Sequence, residues 1–311
     1  MSSAVDETTG SSFHFPRDPV EIWLARQWQD VLGFGIGIRE NFFGVGGNSL
    51  DAARVIDAVL VEFGVQLPLN VLSECPTVEL LARLLRGHGE RLSGPLVVIQ
   101  DGAGGRPPLF LVHPGSGQVG GYCQVAHALG EEYPVSGLQA AGLYSDAEPC
   151  GSVAGMAAVY AEAVRAACPA GPYLLGGCGV GAAVAWEMAA GLGDAGLVAV
   201  IGEGLLEPGD AVTGSWAGEP PAAGDLPGIL AGWQEQGLVP PDAAPEFAAR
   251  SLRVWQAGQD AVRGWQPSPY PGPVDVFGQV PAGIVPAAAV QRAHPCSTAE
   301  QLASALRELL G

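Results

Sequence analysis

The stretch PYLLGGCGVGAAVAWEMA, residues 172–189, decides the larger part of the fold. Its start is short and apolar, as a buried strand is. Four glycines follow within six residues: Gly176, Gly177, Gly179 and Gly181. The remainder, AAVAWEMA, has no breaker and reads as a helix. A strand that turns through glycines directly into a helix is a unit of a parallel sheet with helices on its faces.

Working outward, the same texture continues. PLVVIQ, PLFLVHP, PVSGLQA, LVAVIGEG and PVDVFGQ are further short apolar strands, and VAGMAAVYAEAVRAA is a helix between two of them. Residues from about 96 to 311 therefore read as one mainly parallel α/β unit. One stretch breaks the rhythm. From Glu207 to about Trp265 the chain is rich in Pro and Gly, then helical, and it lies between two strands. It is a candidate lid, and Trp233, Trp255 and Trp265 are candidates to shape the pocket beneath it.

Upstream the periodicity is helical. VEIWLARQWQDVLG starts near Pro19 and ends at Gly33. SLDAARVIDAVLVEFG runs from Ser49, read as its N-cap, to Gly64. VQLPLNVLSECP reads as a connector, and TVELLARLLRG is a last helix capped by Thr77. Residues 18–87 thus make a small all-α unit, residues 88–95 a linker and residues 1–17 a disordered lead with no apolar core of a secretory signal.

Composition narrows the function classes. Hydrophobic residues are 48% of the 311 and charged residues 15%, which suits a sizeable core. There is no Lys; 14 Arg face 32 Asp and Glu, for a formal net charge of −18. Such a surface repels nucleic acid and anionic membranes, and no apolar run is long enough to span a bilayer. The six cysteines lack CxxC spacing and read as thiols of a cytoplasmic protein, with no metal site. GFGIG near Gly33 and GAGGRPP near Gly102 lack the surroundings of a nucleotide site and read as loops.

Three motifs carry chemistry. FFGVGGNSLDA, residues 42–52, sets Ser49 after a glycine-rich loop at a helix start, where a phosphate group is favoured. An ordinary capping serine fits the same residues. LFLVHPGSGQVGGY, residues 109–122, runs a strand into a turn whose backbone N–H groups suit an oxyanion, through Gly115 and Ser116. PYLLGGCGVG has the layout of a nucleophile elbow, G-x-S-x-G, in which the central residue sits on a sharp strand-to-helix turn. With Gly177 and Gly181 as the flanking glycines, Gly179 occupies the nucleophile slot and Val180 supplies the second oxyanion N–H. The other register makes Cys178 the nucleophile, at the cost of Val180 where a small residue is needed.

The first motif, within a helical unit of this size, closely resembles the peptidyl-carrier domains of nonribosomal peptide synthetases, through Gly46, Gly47, Asn48, Ser49 and Leu50. The resemblance implies a 4'-phosphopantetheine on Ser49, placed there from coenzyme A by a phosphopantetheinyl transferase. VHPGSG, the elbow and the terminal RAHPCSTAEQLASALRELL resemble the type I thioesterase domains of the same synthetases. That implies an α/β-hydrolase domain with a helical lid, and release of a peptidyl thioester delivered from upstream synthetase modules, as an acid or a ring. It places the catalytic His at His294 and the acid after the strand LVAVIGEG, at Glu203, with Glu207 and Asp210 as alternates. Asp275 is at a position other hydrolases of this fold use. The departure is Gly179, where the family has Ser or occasionally Cys. Either the release domain is catalytically inactive and acts as a docking or binding module for the loaded carrier, or attack on the thioester proceeds without a covalent acyl-enzyme.

Overall fold

A computed structural model describes residues 13–86, 88, 94–103, 105–193, 195–202, 205, 226–280 and 289–310. The first helix, α1 (Pro19–Leu32), begins where the Asp18 carboxylate accepts the Glu21 N–H at 2.8 Å, and it ends at Gly33 with φ 84°. Helix α2 (Ser49–Phe63), the short α3 (Val71–Glu74) and α4 (Val78–Leu85) complete the helical unit. The connector between the second and last long helices thus contains a turn of helix. The apolar stripes of these helices meet around Leu24, Trp28, Val59, Leu72 and Leu81, all buried. Trp28 stands edge-on to Phe42 at 4.8 Å, which pins the glycine-rich loop to the core. Each such side chain contributes roughly 1.5–3 kcal/mol by leaving water.

Among the described residues of the remainder, seven strands form one sheet: β1 (Leu96–Gln100), β2 (Leu109–Val112), β3 (Val135–Leu138), β4 (Tyr173–Cys178), β5 (Ala195–Ile201), β6 (Val274–Phe277) and β7 (Arg292–His294). Their spatial order is β1-β3-β2-β4-β5-β6-β7. β1 is antiparallel to β3; every other pairing is parallel. Helices α5 (Tyr122–Leu129), α6 (Val153–Ala167), α7 (Val180–Leu192) and, at the chain's end, α10 (Ala299–Leu310) belong to this unit. Two apolar clusters lie against the sheet. One joins α5 and α10 to Leu109, Leu111, Ala199 and Phe277; the other joins α6 and α7 to Phe110, Leu175, Val198 and Val200. The mainly parallel sheet with helices on both faces is the expected α/β architecture.

Register aligns the C-terminal ends of four strands in one row. Cys178 pairs with Ile201, Ile201 with Phe277, and Phe277 with His294. The lid expected between 207 and 265 is described from residue 226 onward. The described part of that stretch holds α8 (Leu226–Glu235) and α9 (Glu246–Arg263). These two pack on Ala140 and Leu143, just past β3, through Leu230, Trp233, Phe247 and Leu252.

The two units share a seam along α1. Ile22 is buried and belongs to the cluster of Leu109, Val125 and Leu129 in the α/β unit. Arg26 forks onto Asp101, with its closest N–O distance 2.6 Å. Phe13 and Phe15 close on the His127 ring at 4.8 and 5.5 Å.

Candidate functional site

Ser49 is the first residue of α2 and is exposed. The cap is Asn48, which corrects the expected N-cap. Its side-chain oxygen accepts the N–H of Leu50 at 2.8 Å and of Asp51 at 3.2 Å, and Asp51 answers with a bond from the Asn48 N–H. An amide fills the capping role here, so the Ser49 hydroxyl is not spent on it. A Cβ at Gly47 would lie 2.5 Å from the Phe42 ring. No side chain can stand there beside Ser49.

At the elbow, β4 ends at Cys178 and α7 begins at Val180. Gly179 between them has φ 57° and ψ −122°. A Cβ at Gly177 would meet Gly181 at 2.4 Å, and one at Gly181 would meet the carbonyl oxygens of Val112 and His113 at 2.5 Å. A Cβ at Gly179 would meet nothing within 4 Å. Two glycines are thus dictated by packing, and the position between them faces open space. That is the geometry of an elbow whose apex is residue 179.

Cys178 is 2% exposed. Strand alternation turns it away from α7, into the cluster of Leu111, Ala199, Ile201 and Phe277. Its thiol packs in the core on the other face of the sheet from the elbow helix.

Gly115 and Val180 line one small cavity, with His113, Tyr160, Cys150 and the lid residue Val254 around it. The structure therefore brings the two expected oxyanion segments together. Ser116 has a different part. It is fully buried, outside that lining, and its Oγ accepts the Gln118 N–H at 3.3 Å, which braces the turn. The His113 ring is buried between the Pro114 carbonyl, 2.7 Å from Nδ1, and the Tyr160 hydroxyl, 2.9 Å from Nε2. Burial holds its pKa down to about 4. The ring is neutral at neutral pH, with Nδ1 facing the Pro114 carbonyl and Nε2 facing the oxygen of Tyr160, whose hydroxyl donates to the Gln139 carbonyl at 3.1 Å.

His294 ends β7. Its Nε2 is 2.8 Å from Oδ1 of Asp275, and its ring stacks on Phe277 at 4.7 Å. Asp275 is fully buried, and Arg292 Nε pairs with the same oxygen at 2.9 Å. The expected acid, Glu203, and its alternates Glu207 and Asp210 lie outside the described residues. The partner the structure gives His294 is Asp275, one strand further along the sheet. Neighbouring strands are about 4.8 Å apart, so the His294 backbone stands three steps, roughly 14 Å, from Cys178 along the same edge. The elbow and the His–Asp pair share that edge, with Ile201 and Phe277 between them.

Of the lid tryptophans, Trp233 is 4% exposed and Trp255 packs beside it; both serve the lid's own core. Trp265 donates Nε1–H to Glu187 at 2.8 Å, and the Ser268 N–H donates to the same oxygen. Glu187 in α7 thereby ties down the return from the lid toward β6, a role that sequence reasoning missed. The Glu of the EMA run was visible only as a spacing mark. None of the six cysteines is in a disulfide. Among the described residues no group of three or more His, Cys, Asp or Glu is placed to hold a metal, and no helix is long and apolar enough to cross a membrane.

Comparison with known proteins agrees with this division. Residues 23–85 match the family described as phosphopantetheine attachment site, and residues 107–200 the family described as thioesterase domain. Malpibaldin synthetase of Mortierella alpina is 37% identical over 182 residues, which are 58% of this chain and 3% of that protein. The dimodular nonribosomal peptide synthase of Bacillus subtilis is 36% identical over 176 residues, 56% of this chain and 7% of that protein. The chain thus spans only a small part of these relatives. A solved four-domain nonribosomal peptide synthetase, bound to AMP and glycine, aligns over 99% of this chain and 26% of its own. Its TM-score is 0.76 at 21% identity, a likeness of fold.

Proposed function

We propose that this chain, in which a phosphopantetheine attachment domain is followed by a thioesterase domain, is the carrier and release portion of a nonribosomal peptide synthetase. The observation that carries the reading is Ser49. It is an exposed hydroxyl at a helix start, capped by its neighbour, on the same chain as an α/β-hydrolase elbow. Upstream synthetase modules supply the peptide, and a phosphopantetheinyl transferase supplies the arm.

The residues around Ser49 fit the arm. The N-terminal end of α2 favours a phosphodiester, and the absence of a side chain at Gly47 leaves its approach clear. When bound, the arm supplies a flexible thiol that carries the acyl group as a thioester. The protein's own groups do the rest. Asp275 accepts a hydrogen bond from the Nε2–H of His294, which leaves Nδ1 as the basic nitrogen. His294 then acts as general base toward water or an internal amine or hydroxyl, and returns that proton to the thiol that leaves as the thioester C–S bond breaks. Backbone N–H groups of Val180 and Gly115 face the charge that develops on the thioester oxygen; one such donor is worth on the order of 10²–10³ in rate. Attack is direct, because residue 179 has no side chain to acylate.

That same bare apex favours a second reading, in which the hydrolase half binds the loaded carrier and releases nothing. Loading Ser49 from an acyl-coenzyme A and following intact mass and product separates the two. Release without a protein adduct, lost in His294→Ala, supports direct attack. No release until Gly179→Ser is introduced supports the binding module. An adduct that disappears in Cys178→Ala would overturn both and return the nucleophile to the buried thiol.

A further inference from the structure

The carrier meets the thioesterase at a buried ionic cluster that release chemistry does not use. Glu21 on α1 is fully buried, and Asp18 and Arg17 beside it nearly so. Arg17 holds Glu21 through Nε at 3.0 Å and Nη2 at 2.6 Å, and Glu79 of α4 through Nη2 at 2.8 Å. Arg86, just past the end of α4, has three carboxylate partners. Its Nε lies 2.7 Å from Asp18, its Nη2 lies 2.7 Å from Glu21, and its Nη1 donates to Asp242. Asp242 is in the turn between the lid helices α8 and α9. Tyr144 is half-buried close by, where Asp18 and Glu21 add to desolvation in pushing its hydroxyl pKa up, and its ring leans on Phe247 of α9 at 5.8 Å.

We propose that Arg86 is a positioning residue that couples the seating of the carrier to the position of the lid. A guanidinium presents its N–H groups in a fixed planar fork. Here one face serves the carrier's own α1 and another serves the lid turn, so its bonds are complete only when carrier and lid are both in place. Three arginines, Arg17, Arg39 and Arg86, stand among Asp18, Glu21, Glu79 and Asp242. When the carrier lifts, the buried acids Asp18 and Glu21 still claim Arg86, and Asp242 is the partner that is given up. The lid is then freed at the moment the carrier leaves. The inference goes beyond the release activity and is read from mobility, so its failure leaves that activity untouched.

The test is hydrogen exchange on the full chain with the pantetheine arm on Ser49. Asp242→Asn leaves every pair inside the carrier intact. It is expected to speed amide exchange at least tenfold both in the lid turn, residues 236–246, and at the seam, residues 22–29, with β4 unchanged. Asp242→Glu is expected to restore slow exchange. Arg86→Lys is expected to resemble Asp242→Asn, since one ammonium cannot serve three carboxylates in a plane. Arg86→Gln combined with Asp242→Asn is expected to loosen the lid no further than Asp242→Asn alone. Lid exchange that stays at the wild-type rate in Asp242→Asn overturns the proposal. So does a lid that loosens while residues 22–29 stay protected.

Discussion

His294 Nε2 stands 2.8 Å from the Asp275 carboxylate, across a strand pairing that sets Phe277 opposite His294. The histidine is thus held from two sides, by a hydrogen bond below and by the Phe277 ring against its face. The second carboxylate oxygen of Asp275 is buried with no hydrogen-bond partner among the described residues. A buried acid with one oxygen left over is costly, and the cost is borne at the residue that orients the imidazole.

Replacing that acid is therefore expected to act on chemistry more than on fold. In a chain carrying Gly179→Ser, Asp275→Asn should lower product release by about 10⁴, the loss seen when the orienting acid of a Ser-His-Asp set becomes an amide. Release from the acyl-loaded chain, followed by mass spectrometry, measures it. If Glu203→Gln gives that loss and Asp275→Asn does not, the orienting acid is Glu203.

The elbow glycines should separate sharply. Gly181→Ala puts a Cβ 2.5 Å from two carbonyl oxygens, and Gly177→Ala puts one 2.4 Å from backbone. Both are expected to leave little folded protein. Gly179→Ser has free space and bears only the strain of φ 57°, about 1–3 kcal/mol. Urea unfolding of the three variants ranks them, and a Gly179→Ser chain as disrupted as Gly181→Ala would contradict the open apex.

Ser49→Ala should block modification by a phosphopantetheinyl transferase and coenzyme A without changing the circular dichroism spectrum, because Ser49 is exposed and Asn48 caps the helix. Asn48→Ala should cost about 1 kcal/mol of stability, the usual worth of such a cap, and leave Ser49 modifiable. A large stability loss in Ser49→Ala would mean that its hydroxyl braces the helix start.

Acid should weaken the fold through His113. Its pKa falls from 6.5 to about 4 because burial disfavours the charged ring. Between those values the unfolded chain binds the proton and the folded chain does not, so stability is full above pH 6.5 and is lost as pH falls toward 4. At about 1.4 kcal/mol per pH unit the whole loss is roughly 3 kcal/mol. His113→Asn should flatten the slope between pH 5 and 6.5, a window above the ordinary carboxylate range. A slope unchanged in that variant assigns the acid sensitivity elsewhere.

Much of this was legible in residues 172–189. Glycine spacing located the elbow because close approach of β4, β2 and α7 excludes any Cβ at 177 and 181, and such an exclusion leaves a mark in the sequence. The division into a helical unit and an α/β unit was legible because hydrophobic periodicity changes near residue 95. The acid was not legible in the same way. Asp275 in PVDVFG looks like an exposed member of an alternating strand, and only the pairing of β6 with β7 turns it toward His294. Asn48 and Ser49 are both good capping residues, and sequence alone does not say which of the two leaves the cap free. Arg86 lies near the end of the TVELLARLLRG run, where no local pattern singles it out. Its three partners are 65, 68 and 156 residues away along the chain, beyond the reach of any local pattern.

Ile22 has a bearing on how such proteins are recombined. It belongs by sequence to the carrier and by burial to the sheet domain. A chimera joined in the stretch around residues 87–93 would cut where the chain is polar, yet the surface that has to match lies some 65 residues upstream. A grafted carrier with a charged residue at that place would uncover the β1 edge of the sheet to water and strand a charge against it. Successful exchange of carriers on this scaffold is therefore a matter of the outward face of α1, and the joining peptide is the lesser part of the design.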